Sequence, residues 1–260
     1  MVLERLLEAK YTRKEPLLIF FFSIMITTIS VFISYTVFKE STGLFTIVII
    51  SLIMVPFMNS MLMEEEIETE KTGEMEPFLQ RHGDVISAYV ALFAGMTLAK
   101  CIAFVILPED IVQHIFDEQI KEVNIIRGRF TFGNQLLDIL SNNISVLLLS
   151  FLFSFLLGTG AIFVLAWNAS VLSAAMGLIA KSFGGVGGIP VAVMTFFPHG
   201  SFELTAYFIG AIAGGLVSAA ITRKRSYKFW FVIGDSIKLL FISVLLLIIG
   251  AVIETAIILV

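Results

Sequence analysis

The sequence predicts an all-α fold: a polytopic bundle of six or seven transmembrane elements, forming one integral membrane domain over residues 1–260. Composition is the first reason, because 58% of the 260 residues are hydrophobic, whereas soluble domains contain about 45–50% apolar residues. Only 15% of the residues are charged, where roughly 25% is usual. The chain also contains apolar runs of about 20 residues, the length at which a helix crosses the hydrocarbon core.

Six such runs follow one another along the chain. They are Leu17–Phe38, Leu44–Met63, Val85–Leu107, Ile144–Trp167, Phe202–Ile221 and Phe229–Ile253. Pro16 opens the first span, a position where a helix tolerates proline, whereas Pro56 lies inside the second span and should kink it. Residues 1–16 alternate charge with leucine and lack a small-residue cleavage site. We therefore expect an amphipathic lead into an uncleaved first span.

Two polar segments separate these spans. Residues 64–84 are acidic and are expected to form a cytoplasmic loop. Residues 108–138 carry a partly apolar helical face, which predicts an amphipathic helix on the extracytoplasmic membrane surface, followed by a turn at residues 127–134. The residues of that face are Ile111, Ile115, Gln119, Ile120 and Val123.

A broken or re-entrant element is expected around residues 168–198. The helical part, Ala169–Lys181, is too short to cross comfortably, and the sequence GGVGG then breaks any helix. A second apolar run follows at Ile189–Phe197. Such interrupted stretches persist at membrane depth only inside protein or beside a cavity. Asn168, after the interfacial Trp167, is expected to cap the next helix.

The distribution of Lys and Arg favours seven crossings over six. With a cytoplasmic N-terminus, six crossings place seven of these residues inside and eight outside, whereas seven crossings place ten inside and five outside. Seven crossings need a short span at residues 169–179, with residues 184–197 dipping back from the outer side. We expect a multi-pass protein of the cell membrane with its N-terminus in the cytoplasm, and six crossings stay the alternative.

Polar side chains at the head of one span mark a candidate polar core. His199 and Glu203 are four residues apart and share a helix face, which Tyr207, Gly210 and Gly214 continue. The two glycines form a close-packing surface for another helix, so this face should meet protein rather than lipid. A structural role is the plain interpretation, because buried polar groups in a membrane need partners whether or not they bind a ligand.

The fourth span carries a second polar line. Asn142 and Asn143 stand near its start, and Ser150, Ser154 and Gly158 lie on the same side as Asn143. We expect Gly158 to pack against another helix. Interhelical hydrogen bonds from such groups average about 0.6 kcal/mol, so holding the helices together is their plain role.

Glu254 lies near the end of the last apolar run. A carboxylate in hydrocarbon costs about 2.5–3.5 kcal/mol on insertion scales, so it needs a partner. Asp235 and Lys238, near the start of the same helix, are expected to pair with each other. The predicted polar cluster is drawn from Asn142, Asn143, Asn168, His199, Glu203 and Glu254.

No catalytic or cofactor motif accompanies these residues. The sequence lacks a His-Glu-x-x-His pair, a Gly-x-Ser-x-Gly elbow and a Gly-x-x-x-x-Gly-Lys loop, and its three histidines are not spaced as a metal set. We therefore expect no cofactor and no metal. A net charge of −4 argues against nucleic acid as a partner.

Together these motifs resemble the stage II sporulation protein M family. The resemblance covers residues 142–256, with glycines at Gly158–Gly160, an Asn-Ala step at Asn168–Ala169, a His-Gly-x-x-Glu motif at His199–Glu203 and a late Glu254. The acidic segment of the first half is similar to the archaeal branch. The family's namesake in spore-forming bacteria is a polytopic membrane scaffold, so the resemblance implies a membrane fold with a polar core.

Three functions fit the sequence. The first, which we expect, is a non-enzymatic scaffold or assembly component whose partners are the lipid bilayer and either a second copy or other membrane proteins. The second is a transporter or channel, because the broken region beside His199 and Glu203 resembles the discontinuous helices that build midplane sites. The third is an intramembrane hydrolase that uses His199 with Glu203 or Glu254.

Overall fold

The computed structural model describes residues 15–72, 78–130, 135–222 and 229–259. These residues form eight α-helices and one short 3-10 helix, and no strand occurs within them. The helices are α1 Pro16–Val37, α2 Thr42–Thr72, α3 Phe78–Ile106, α4 Glu109–Phe130, α5 Gln135–Leu157, α6 Ala161–Ser182, α7 Ile189–Thr222 and α8 Phe229–Leu259. The predicted all-α helix bundle is confirmed.

Seven of these helices are long and apolar enough to cross a membrane, and α4 is the exception among them. Exposed apolar side chains cover the outer faces of the bundle, for example Phe21, Leu52, Leu156 and Phe241. Soluble monomers rarely expose such continuous apolar surface, whereas lipid tails solvate it. The chain is therefore a multi-pass membrane protein. The structure describes seven candidate spans, the larger of the two predicted numbers.

The predicted fourth span, Ile144–Trp167, is wrong because the chain turns inside it. α5 ends just before Gly158, whose φ of +75° is a conformation that glycine adopts at little cost, and α6 begins at Ala161. As a result Asn168 lies inside α6 and does not cap a helix. Its amide nitrogen donates a 2.8 Å hydrogen bond to the Val164 carbonyl of its own helix.

The turn between α5 and α6 is packed against α2 and α7. Thr159 is fully buried, and its hydroxyl donates to the Val55 carbonyl of α2 at 2.8 Å. The Gly158 carbonyl lies 3.0 Å from where a Cβ on Gly215 would stand, and a Cβ on Gly158 itself would collide with the Asn59 side chain. Gly158 therefore shapes a buried turn, rather than a smooth helix face as predicted.

The break predicted around residues 168–198 is confined to one short turn. Gly184 and Gly185 have φ values of +93° and +75°, and the 3-10 helix that follows leads directly into α7. The expected dip of residues 184–197 is wrong, because α7 continues without a break through Pro198. Membrane helices tolerate an internal proline where neighbouring groups satisfy the freed carbonyl.

The amphipathic segment forms α4, which packs on α2 and α6 and kinks at Phe116 (φ −115°, ψ 17°). The Phe116 ring lies 5.1 Å from the Phe104 ring of α3, and Lys181 Nζ of α6 lies 2.7 Å from Glu109 Oε2. We call this end of the bundle the α4 end, and the end where α7 gives way to α8 the opposite end. The buried residues of α4 are Val112, Ile115, Phe116, Gln119 and Val123.

Parts of three predictions lie outside the described residues. These are residues 1–14 of the amphipathic lead, residues 73–77 of the acidic segment and residues 131–134 of the predicted turn. The described backbone of the acidic segment is helical and not a loop, because α2 continues to Thr72 and α3 begins at Phe78.

α7 is the central helix of the bundle, and it packs against α5 and α8. It is buried without interruption over residues 206–216. A Cβ on Gly210 would collide with Leu147 of α5, and a Cβ on Gly214 would collide with the Phe151 carbonyl. The small-residue face predicted for Gly210 and Gly214 therefore packs against α5 of the same chain.

Candidate functional site

A polar cluster lies where α5, α7 and α8 meet. The Tyr207 hydroxyl of α7 donates a 2.8 Å hydrogen bond to Asn143 Oδ1 of α5, and only 4% and 6% of these two residues is exposed. Asn143 faces inward because it shares one side of α5 with Leu147, Ser150 and Ser154, all of them buried. The polar lines predicted on two separate spans thus meet at this bond.

Glu203 lies one helical turn before Tyr207, and its carboxyl group interacts with the Asn143 and Glu254 side chains. α7 and α8 approach closely at this point because Gly250 has no side chain. A Cβ on Gly250 would stand 2.9 Å from Glu203 Cγ. Glu254 follows Gly250 by one turn of α8, which brings the second carboxyl group to the first.

Several polar atoms of this cluster are buried without a well-formed hydrogen bond. Among the described residues, Asn143 Nδ2, Glu203 Oε1 and His199 Nδ1 have none. An unpaired buried polar group costs about 1–3 kcal/mol, and in hydrocarbon no water offsets that cost. These groups therefore keep hydrogen-bonding capacity for a small ligand or for ordered water.

The two carboxyl groups constrain what can occupy the cluster. Charges of the same sign that are close together in a medium of low dielectric constant repel each other strongly. Glu203 and Glu254 therefore cannot both be ionised unless a positive charge lies with them. A proton shared between the two carboxyl groups leaves only one of them ionised. A small cation bound by both supplies the positive charge that two ionised groups need.

The cluster lies near the middle of the bundle along its axis. Toward the opposite end, Gly215 contacts the α5–α6 turn. It follows Glu203 by twelve residues, a distance of about 18 Å along α7 at 1.5 Å per residue. Toward the α4 end, Glu203 is eleven residues from Ala192, which packs with Cys101 and Ala180, about 16 Å along the helix. Measured along α7, the Glu203 carboxyl group therefore lies between the two ends of the bundle rather than at one of them.

The other predicted site residues stand in different relations to this cluster. His199 lies one turn before Glu203, is 8% exposed and has its ring 6.0 Å from the Phe196 ring. Asn142 is half-buried and makes only a long 3.5 Å contact with Asn143 Oδ1. Asn168 bonds within α6, and no described contact joins it to the cluster.

Comparison with known proteins places the chain in a family. A family model described as stage II sporulation protein M matches residues 85–257. The chain belongs to the stage II sporulation protein M family. No curated protein and no solved structure matches the chain. The matched region of this stage II sporulation protein M family member contains Asn143, His199, Glu203, Tyr207 and Glu254, and so the whole cluster.

A buried lysine in the family region was missed by the sequence analysis. Lys100 of α3 is 2% exposed and donates a 2.8 Å hydrogen bond to Ser170 Oγ of α6. Next to it, Ser173 Oγ donates to the Thr97 carbonyl at 3.0 Å. A single lysine hardly lowers the hydropathy of a 25-residue span, so only its position well inside the run could have marked it.

A second titratable pair lies at the opposite end. Asp235 is inside the region that the family model matches, and His82 lies three residues before that region. Asp235 and Lys238 pair as predicted, with 3.3 Å between Lys238 Nζ and Asp235 Oδ1. The structure adds His82 of α3, whose Nε2 lies 3.9 Å from Asp235 Oδ2, with only 1% of either side chain exposed. The sequence analysis missed His82 because nothing in the chain indicates that α3 and α8 meet there.

Among the described residues of this family member, no group of three or more His, Cys, Asp and Glu side chains is arranged to hold a metal ion. The cluster instead combines two carboxyl groups, one amide, one phenol and, one turn before Glu203 on α7, the His199 imidazole. Carboxyl, phenol and imidazole groups can exchange protons, and carboxyl, amide and phenol oxygens can be ligands of a monovalent cation.

Proposed function

We propose that this membrane protein is a transporter or channel for a small cation, a term that here includes the proton. The Glu203 and Glu254 carboxyl groups form its central site. One observation supports this proposal above others: the two groups face each other across the α7–α8 contact near the middle of the bundle. Ionisable residues at that depth, facing the bundle interior, mark ion pathways and proton relays in membrane proteins.

The unpaired atoms of the cluster support the same proposal. A cluster that only held helices together would gain most if each polar atom had a partner. Asn143 Nδ2 and Glu203 Oε1 instead lack well-formed hydrogen bonds among the described residues. We infer that these atoms coordinate the transported cation, or the water that travels with it.

A scaffold or assembly role is the second candidate, and α4 favours it. This helix lies outside the seven spans and exposes polar residues such as Gln113, Asp117 and Lys121, which could bind a partner protein. The small-residue faces no longer support this role, because Gly210 and Gly214 pack inside the chain. For either role we place the protein in the cell membrane with its N-terminus in the cytoplasm.

Flux measurements on proteoliposomes test the proposal. The purified full chain is reconstituted, and fluorescent indicators inside the vesicles report the entry of H⁺, Na⁺, K⁺ and Ca²⁺ separately. We expect the wild-type chain to carry at least one of these ions, and the E203Q and E254Q variants to lose most of that flux. E109Q is the matched control, because Glu109 is an exposed carboxylate on α4. We expect the E109Q variant to show the same flux as the wild type.

Two outcomes would contradict this proposal. One is a correctly folded wild-type chain that carries none of the four ions. The other is E203Q flux equal to that of the wild type. Recovery of a stoichiometric partner protein from native membranes, together with absent flux, would favour the scaffold instead.

A further inference from the structure

We propose that the transported cation is the proton, and that the His82–Asp235 pair is a second station of its pathway, reached through Tyr89 and Tyr207. This inference rests on the proposed function and names its cargo. It stands on a series of buried titratable side chains that extends from the carboxyl pair to the opposite end of the bundle.

The station at the opposite end combines burial with a link to the surface. His82 Nε2 and Asp235 Oδ2 are 3.9 Å apart, and both side chains are almost completely buried. On its other side, Asp235 Oδ1 is 3.3 Å from Lys238 Nζ, and the Lys238 side chain is 66% exposed. A long lysine side chain at this depth extends toward the interface, so the pair is one side chain from water.

Tyr89 lies between this station and the carboxyl pair. It follows His82 by seven residues, which is two turns of α3, so both side chains are on one helix face. Tyr89 is fully buried, and its hydroxyl has no hydrogen-bond partner among the described residues. Its ring stacks on Phe208 of α7 at 6.2 Å between ring centroids. Tyr89 therefore packs against α7 at the residue after Tyr207, although Tyr207 itself points toward α5.

From Tyr207 the series continues to the carboxyl groups. Tyr207 interacts electrostatically with both Glu203 and Glu254, which interact with each other. The Asn143 amide carries no proton itself but orients these groups, because its Oδ1 accepts from the Tyr207 hydroxyl and its side chain contacts Glu203. Tyr89 and His82 are about 10 Å apart along the axis of α3, so the step between them needs a bridging group. The unpaired Tyr89 hydroxyl is a polar atom that can hold an ordered water in that step.

The chemistry of the intermediate groups favours a proton over a metal cation. Imidazole and phenol groups both donate and accept protons, and histidine is the side chain best suited to proton transfer near neutral pH. A sodium or potassium ion would need several oxygen ligands at each stop, whereas Tyr89 offers only one. Each transfer breaks one O–H or N–H bond and forms another on the next group, without exchange of electrons.

Y89F is the decisive variant, since it removes only an unpaired hydroxyl and should fold as stably as the wild type. In proteoliposomes with an internal pH indicator and an imposed pH gradient, we expect its proton flux to fall about 100-fold, as when a proton-transfer group is lost. The double variant H82Q/D235N, which keeps a neutral pair at the second station, should lose flux similarly. The controls Y35F and H114Q alter groups at the α4 end and should keep wild-type flux.

The outcomes separate this inference from the proposed function. A wild-type chain that carries Na⁺ or K⁺ but no H⁺ would overturn the inference and leave the proposed function standing. Proton flux that is lost in E203Q but kept in both Y89F and H82Q/D235N would overturn the pathway alone. A folded wild-type chain without any flux would overturn both.

Discussion

Gly250 of α8 lies directly on the Glu203 side chain of α7, with 2.9 Å between Glu203 Cγ and the point where a Cβ on Gly250 would stand. The same point is 3.4 Å from the His199 carbonyl. Because a real Cβ almost never approaches another heavy atom this closely, the distance between α7 and α8 depends on glycine here. The glycine therefore controls how closely Glu254 approaches Glu203.

Gly250→Ala should push α7 and α8 apart and weaken both the fold and the carboxyl contact. Overpacking of this kind costs about 1–3 kcal/mol, which thermal unfolding in detergent would measure. Gly234→Ala is the control on the same helix, because a Cβ there meets nothing within 4 Å. Equal melting temperatures for the two variants would contradict the proposed close contact.

Tyr207→Phe should destabilise the bundle, because Asn143 Oδ1 loses its 2.8 Å donor and keeps only the long 3.5 Å contact from Asn142. Side-chain hydrogen bonds in membrane proteins contribute about 0.6 kcal/mol on average and at most about 1.7 kcal/mol, and we expect a loss in that range. A double-mutant cycle with Asn143→Leu, read out by unfolding in mixed micelles, isolates the coupling. Additive losses in the cycle would show that the bond contributes nothing.

Gly214→Ala should be among the most damaging small substitutions in α7. The added methyl group would collide with the Phe151 carbonyl and approach Ser154 Cβ to 3.0 Å, and backbone atoms cannot move aside as side chains do. Gly200→Ala, in the same helix, adds a methyl group into open space and should be tolerated. Expression and detergent-resistant folding, compared side by side, check this difference.

The contact between Lys100 and Ser170 predicts an asymmetry between two substitutions. Ser170→Ala leaves a buried ammonium group without its hydrogen-bond partner and should cost about 1–3 kcal/mol or more. Lys100→Met removes the charge but keeps the volume, so it should be neutral or stabilising. Thermal unfolding of both variants checks the asymmetry, and a strongly destabilised Lys100→Met would instead point to a role for the charge.

The pair between Glu109 and Lys181 should contribute only above acidic pH. The pKa of Glu109 is lowered from 4.5, first because the Lys181 ammonium donates a hydrogen bond to it, and then because Gln113 does. A carboxyl group with a lowered folded-state pKa adds stability above its unfolded-state value and loses it as pH falls through the folded-state value. The difference in unfolding free energy between wild type and Lys181→Met should therefore be at most about 1 kcal/mol at neutral pH and vanish in acid.

The number and type of helices could be predicted because each span carries its own signal. Length and hydropathy locate a span without knowledge of its neighbours. The distribution of Lys and Arg favoured seven crossings over six. The turn at Gly158 was missed because apolar residues continue on both sides of it, so no drop in hydropathy marks the boundary. The buried Thr159 hydroxyl of this turn donates to the Val55 carbonyl of α2, and α2 is far away in the chain.

The members of the polar cluster could be named from the sequence, but their pairing could not. His199, Glu203 and Tyr207 share a face at helical spacing, and that signal is local. The contact between Glu203 and Glu254 depends on α7 and α8 packing at one register, which no single helix specifies. Asn168, which we expected in the same cluster, bonds within α6, and no described contact joins it to the other members.

The order of the helices along the chain has a consequence for biogenesis. α8 follows α7 in synthesis, so Glu203 enters the membrane before Gly250 and Glu254 emerge from the ribosome. Until α8 arrives, Glu203 has the Asn143 side chain of α5 but lacks the second carboxyl group of its site. A nascent chain stalled between the two helices would thus be a natural substrate for membrane quality control, and release from that surveillance would report docking of α8.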